Sequence, residues 1–303
     1  MVPFIYDAIY SDLDLPERHR YPIQKYQLLY QWALAHGANN DQFIRPQPLT
    51  WSQVSIAHSD EYINKLINYQ FDKKEWRKVG FPWSTQLLTR TLTSAGGTFE
   101  TVKTALRSGI AIHFSGGYHH AHHDWGSGFC LINDLAISAL LASQENPSLK
   151  ILVFDTDVHQ GDGTAVLLKE HANIFTCSIH GERNFPFTKA ESDLDIALPK
   201  GTQDAHYLEV VQRTLTSLVS DVKPDLILYD AGVDIYRRDD LGHLDISIEG
   251  IYARDHFVLD YAKQHGISVA AVIGGGYQRN LSRLILAHAQ LLRASHHVWD
   301  TTE

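Results

Sequence analysis

Cysteine is scarce: Cys130 and Cys177 are the whole complement in 303 residues. A disulfide scaffold needs more, so a reducing compartment is the expectation. Runs of lysine and arginine are missing too, and the formal net charge is −9 with histidine neutral. A nucleic-acid binder normally presents a basic face, so direct DNA or RNA binding is disfavoured. No apolar run approaches the ~20 residues of a membrane helix. The opening residues, MVPFIYDAIYSDLD, are acidic and lack a signal-peptide apolar region. A soluble, cytoplasmic protein is expected. Internal repeats, low-complexity segments and linkers are absent as well, so residues 1–303 are expected to form a single domain. What the chain does have in excess is histidine, with eighteen residues, several of them clustered.

The stretch that organises the chain is KILVFDTDVHQGDG, from Lys150 to Gly163. Ile151 to Phe154 is a short apolar run of the kind a buried parallel strand shows. It changes abruptly into Asp155, Asp157 and His159 at spacing two, followed by Gly161, Asp162 and Gly163. Side chains two apart project to one side of a strand, and the carboxyl end of a strand is where open α/β sheets place ligands. Two buried carboxylates and an imidazole need a compensating partner, and a cation supplies it.

Along the rest of the chain, residues 3–8 read as a first strand. Residues 21–36 and 58–69 read as amphipathic helices, the first ended by Gly37 and the second capped by Ser59. Residues 71–85, mixing charge with Gly80, Pro82 and two tryptophans, read as a surface loop. Helical spacing runs from Ser94 to Leu106, a strand is expected at 110–115, and a helix at 129–142. Strands then alternate with helices: strands at 150–155, 173–179, 225–231 and 268–274, helices at 163–170, 204–220, 247–264 and 278–294. This alternation predicts right-handed crossovers and a mainly parallel sheet covered on both faces.

Chemistry-bearing residues follow each of four strands. After 110–115 comes Gly116-Gly117-Tyr118-His119-His120-Ala121-His122-His123; after 225–231, Asp234; after 268–274, Gly274-Gly275-Gly276-Tyr277. Asp157, His159 and Asp234 offer one nitrogen and two carboxylates and leave a coordination position open, the composition of a catalytic metal site. Zinc fits, and Fe(II) suits the same ligand types. His119 and His120 become a proton-transfer pair, with Asp155 and Asp162 the available orienting carboxylates. Tyr277 is a natural donor to an oxyanion. Cys130 reads as a pocket-wall residue and Cys177 as core; His122, His123, His296 and His297 read as exposed. Trp83 reads either as a rim residue or as a loop anchor.

GGYHHAHH with Gly128-Phe129-Cys130, then DTDVHQGDG, Asp234 and GGGY resemble the zinc-dependent histone deacetylase family over nearly the whole chain. HRYP at 19–22 and HGERNFPF at 180–187 look most like its class IV branch and bacterial relatives. The resemblance implies the three-layer arginase/deacetylase α/β fold, with a central, mainly parallel eight-stranded sheet. It implies Zn²⁺ on Asp157, His159 and Asp234, and His120 with Asp162 as the principal acid and base. His119 with Asp155 becomes the electrostatic partner, and Tyr277 the donor to the substrate carbonyl. Gly128, Phe129 and Phe185 would line an acyl-lysine channel. A structural potassium site is implied at Ser178 with main-chain oxygens of Asp155, Asp157 and His159. The substrate implied is an acylated lysine or a related small acylated amine.

Two departures bear on that substrate. The family's lysine deacetylases carry a rim aspartate before the helix read here as starting near Ser94, where this chain has KVGFPWST and no carboxylate. Long active-site loops are missing too, including the insertion of acetylpolyamine hydrolases, which leaves an open mouth. A binuclear arginase-like site would need carboxylates at positions occupied by Gly161 and Tyr236, so one metal is expected. The glycines do not complete a dinucleotide motif. A non-catalytic acyl-lysine or polyamine binder would be suggested by loss of Tyr277 or a histidine, and all are present.

Overall fold

A computed structural model describes residues 1–300. Its strands are β1 (Phe4–Ile5), β2 (Phe43–Ile44), β3 (Ile110–His113), β4 (Ile151–Asp155), β5 (Ile174–Gly181), β6 (Leu194–Leu198), β7 (Leu226–Asp230) and β8 (Ser268–Val272). They form one eight-stranded sheet in the order β2-β1-β3-β8-β7-β4-β5-β6, every neighbouring pair parallel. The helices are α1 (Lys25–Ala35), α2 (Trp51–Val54), α3 (Asp60–Asn68), α4 (Lys73–Arg77) and α5 (Thr85–Ser108). They continue with α6 (Asp134–Glu145), α7 (Asp162–Leu168), α8 (Asp204–Val222), α9 (Ile248–Gln264) and α10 (Leu281–Ser295).

β3, β4 and β7 are buried at every residue, as strands covered on both faces must be. α5 packs on β3, β8 and α6, while α9 packs on β8, α8 and α10, which makes the three layers. The four strands that precede the chemistry-bearing motifs are consecutive neighbours, β3-β8-β7-β4, so those motifs emerge side by side along one edge of the sheet centre. No helix among the described residues is long and apolar enough to cross a membrane.

Several boundaries differ from the sequence reading. The first strand stops at Ile5 because Asp7 accepts the Ile9 amide and starts a 3-10 turn. β2 and β6 were not anticipated: β2 has two residues, and β6 is a half-exposed edge whose burial alternates. α5 begins at Thr85, well before Ser94, because Ser84 caps it at the Leu87 amide and Thr89 and Thr93 return their hydroxyls to carbonyls four residues back. Residues 71–85 are not a surface loop throughout. Asp72 and Glu75 form a capping box for α4, and Trp76, Val79 and Phe81 are buried. Trp83 anchors this segment, its indole donating to Leu66 O at 2.9 Å and stacking on Tyr69.

Candidate active site

β4 ends at Asp155, and the chain beyond it is folded by its own carboxylates. Asp155 Oδ1 accepts the Asp157 amide, Asp157 Oδ1 accepts the His159 amide, and Asp234 Oδ1 accepts the Val158 amide, at 2.9–3.0 Å. From β8, the Gly275 amide donates to Asp157 Oδ2 at 2.9 Å, and Gly275 O receives the Val233 amide. These bonds converge three donor groups. His159 Nδ1 lies 3.0 Å from both Asp157 Oδ1 and Asp234 Oδ2, and all three residues are buried.

Charge is unbalanced in this cluster. Burial opposes a proton on His159, yet the bonds to Asp157 and Asp234 outweigh it and raise its pKa to about 10. Burial, then the Asp157 charge, pushes Asp234 up to about 7. Asp157 is held low: its bond to His159 and the His119 charge overcome its burial. Two carboxylates and one imidazole nitrogen thus converge where a dication would satisfy both carboxylates. The donor atoms all lie within 4.8 Å of one another, as ligands at about 2.0–2.2 Å from one ion require. The glycine turn leaves them room, since a Cβ at Gly275 would sit 2.3 Å from Asp234 Oδ2 and 2.4 Å from Asp157 Oδ2. The residues fit a mononuclear metal.

The histidine loop after β3 is held by Asp134, which accepts the Gly117 and Tyr118 amides. His119 Nδ1 meets Asp155 Oδ2 at 2.7 Å, and His120 Nδ1 meets Asp162 Oδ1 at 2.7 Å, with the two rings 4.2 Å apart. Their environments separate them. Burial disfavours charge on His119, but Asp155 outweighs it and raises its pKa well above the usual histidine value. Burial, then the His119 charge, lowers His120 to about 4. The two environments push the pair in opposite directions, the separation that marks acid and base partners.

Phe185 flanks this pair, and Phe129 flanks Tyr277. The Phe185 ring is edge-on to His120 at 4.8 Å. Phe129 lies 5.8 Å from Tyr277, whose ring is 6.2 Å from His159. Gly128 closes on His120, where a Cβ would come within 2.7 Å of Cδ2. Tyr277 is fixed by its backbone N–H, which donates to Asp239 Oδ2 at 2.7 Å, and burial raises its hydroxyl well above the usual tyrosine value. Ser178 faces Asp155 across β5 and β4 in register, its hydroxyl 3.0 Å from His180 Nδ1. Cys130 and Cys177 are buried free thiols, and burial raises both well above the ordinary thiol value. Neither is a thiolate nucleophile.

His122 is a correction. It is half-buried, stacked on Trp125 at 4.0 Å, with Nε2 3.0 Å from the second oxygen of Asp162; His123, His296 and His297 are exposed. Sequence reasoning also missed Lys25, whose buried ammonium donates to Gly274 O at 2.9 Å and whose pKa burial lowers to about 8. Its signal was available, since Lys25 continues the buried stripe of Leu29 and Ala33 at spacing four. Asp230 was passed over as the last residue of a strand. Its carboxylate is buried 3.9 Å from His119 Nδ1, and burial and Asp155 raise its pKa well above the usual range.

Residues 19–292 match the Histone deacetylase domain family. An uncharacterized protein of Picosynechococcus sp. is 41% identical over 298 residues, covering 98% of this chain and 99% of that protein. Histone deacetylase 2 of Arabidopsis thaliana is 26% identical over 305 residues, covering 94% of this chain and 76% of its own length. Among solved structures, an HDAC homolog from Aquifex aeolicus superposes with a TM-score of 0.81 at 24% identity, covering 96% of this chain and 83% of that one. That likeness concerns the arginase/deacetylase fold. With the family match spanning nearly the whole chain, the protein belongs to the histone deacetylase family and is an amide-cleaving deacetylase.

Proposed function

We propose that the protein removes an acetyl or longer acyl group from an Nε-acyl-lysine or a related acylated amine. The observation that carries this reading is the His119–Asp155 and His120–Asp162 pairs set against the Asp157, His159 and Asp234 donors, beside the rings of Phe129, Phe185 and Tyr277. Those donors would hold Zn²⁺, with Fe(II) also suited to them, and the bound ion supplies a polarised acyl carbonyl and an acidified water.

The chain's own groups do the rest. His120 has Nδ1 committed to Asp162, so its other ring nitrogen receives the proton of the attacking water. His119, kept charged by Asp155, balances the negative charge that develops on the acyl oxygen. Tyr277 stays protonated and donates its hydroxyl to that oxygen. The histidine pair then returns a proton to the leaving amine, giving free amine and carboxylate. Phe129 and Phe185 hold the apolar acyl stem between their rings and exclude water. Ser178, with main-chain oxygens of Asp155, Asp157 and His159, would bind a structural K⁺. Two free thiols suit a reducing compartment, and the cytoplasm is the location we propose.

The test is hydrolysis of a panel of Nε-acyl-lysine and acylpolyamine substrates, before and after chelation, with Zn²⁺ or Fe²⁺ restored. Chelator-sensitive turnover supports the reading, and the preferred acyl group defines the channel. A chain loaded with one metal that turns over nothing would overturn it.

A further inference from the structure

Beside the channel mouth, a groove of about 730 Å³ opens against the wall formed by Gly128 and Phe185. Pockets of this size accommodate the body of a small ligand or a few residues of a peptide. The ionisable groups on its wall are Lys78, Lys189, His122 and Asp162. Asp162 does not offer itself to a cation, because one oxygen bonds His120 and the other His122. Asp162 keeps its negative charge, so the wall sets one carboxylate, both of its oxygens already bonded, against two ammonium groups.

Both lysines are tied to the channel wall. Lys78 O receives the Gly128 amide at 3.0 Å, which anchors its backbone at the mouth, and its ammonium lies 5.3 Å above the Trp125 ring. Lys189 donates to Asn184 O and Pro186 O, both at 2.6 Å, which leaves one of its three N–H groups for the groove. The same wall carries two exposed aromatics, Phe187 at 92% exposure and Trp125 at 39%. Large apolar side chains so exposed beside a cavity mark contact surface. Lys78 also belongs to the KVGFPWST segment, where a clamping carboxylate was sought and none stands.

We propose, on the deacylase reading above, that this groove receives the amine half of the substrate. It selects amines that carry a carboxylate on a carbon frame over acylated polyamines and basic peptides. The shared chemistry is an acyl-amine whose amine half bears a carboxylate, either an acylated amino acid or a lysine flanked by acidic residues. Cations are repelled by Lys78 and Lys189, while Phe187 and Trp125 cover the apolar frame. Since the groove lies outside the reacting centre, it acts in ground and transition states alike, and the preference appears in KM rather than kcat.

The experiment compares the metal-loaded protein on four probes: free Nε-acetyl-lysine, N-acetylspermidine, and acetyl-lysine peptides flanked by glutamate or by lysine. Two rim charge pairs of ordinary strength give roughly a five- to tenfold preference for the anionic peptide, shrinking with added salt. Lys78→Glu should erase or invert that preference, and Lys78→Met should roughly halve it on a logarithmic scale. Preference for free Nε-acetyl-lysine over the acidic peptide would identify the amino acid as the source of the carboxylate. Equal kcat/KM on carboxylate-bearing and purely cationic probes, or a preference unchanged in both variants, overturns the groove assignment alone. Absence of turnover on every probe overturns the deacylase reading together with it.

Discussion

A single carbon added at Gly275 tests the metal site more sharply than removal of a ligand. No charge and no donor changes in Gly275→Ala, yet the new Cβ would stand 2.3 Å from Asp234 Oδ2 and 2.4 Å from Asp157 Oδ2. Relief to ordinary contact needs each carboxylate to retreat by about 1 Å, several times the ~0.2 Å tolerance of a metal–ligand bond. Neither can retreat freely, since Asp157 holds the His159 and Gly275 amides and Asp234 holds the Val158 amide. Loss of a group that merely orients a ligand weakens metal binding about 10–100-fold, so displacing two ligands should cost at least ~100-fold, or about 2.7 kcal/mol. The assay is metal retained per chain against a competing chelator over a range of free Zn²⁺, with cooperative unfolding recorded to show that the variant is folded. Gly201→Ala is the control. Its positive φ makes alanine strained there, but nothing lies within 4 Å of the new Cβ. It should lose some stability and no metal affinity. A folded Gly275→Ala protein that binds Zn²⁺ within threefold of the parent would refute the reasoning.

Other expectations concern single groups. Tyr277→Phe keeps the ring against Phe129 and removes one donor; turnover should fall about 10²–10³-fold with metal content unchanged, and full activity on an acyl-lysine substrate would overturn the oxyanion role. Asp157→Ala should abolish metal binding, read as metal per chain after dialysis; stoichiometric metal in the variant would remove Asp157 from the ligand set. His58 lies neutral between His122 O and the Asn133 amide, and burial lowers its pKa to about 4. The unfolded chain takes up that proton near pH 6.5, so the stability from the neutral ring is complete above pH 6.5 and lost as pH falls toward 4. In urea denaturation the gap between parent and His58→Gln should therefore narrow by up to ~3 kcal/mol from pH 6.5 to 4; a constant gap would contradict the burial argument.

The centre of the fold was legible because Ile151–Phe154, Leu226–Tyr229 and Ser268–Val272 are unbroken or nearly unbroken apolar runs, each halting at chemistry-bearing residues. Periphery was harder. β2 is too short to show a period, and β6 interleaves Asp195 with half-buried residues, so its pairing with β5 rather than its composition makes it a strand. The first turns of α5 were hidden by threonines, weak helix formers that here bond back to the helix. Lys25 and Asp230 escaped because a charged residue in a helix or at a strand end is normally solvated. Only the assembled interior shows Lys25 reaching the Gly274 carbonyl and Asp230 facing His119.

The wide spacing of the site along the chain has a consequence for how the protein comes to be active. Gly275 and Asp157 are 118 residues apart, and β3, β8, β7 and β4 must all be in register before their ends meet. Non-local parallel pairings form slowly, because the closure entropy must be met before their contacts repay it. Metal capture therefore cannot nucleate this fold in the way it organises a small zinc module. On the proposed site, a metal ion would arrive after the sheet is complete, and a nascent chain released before β8 docks would bear Asp157, His159 and Asp234 without bringing them together.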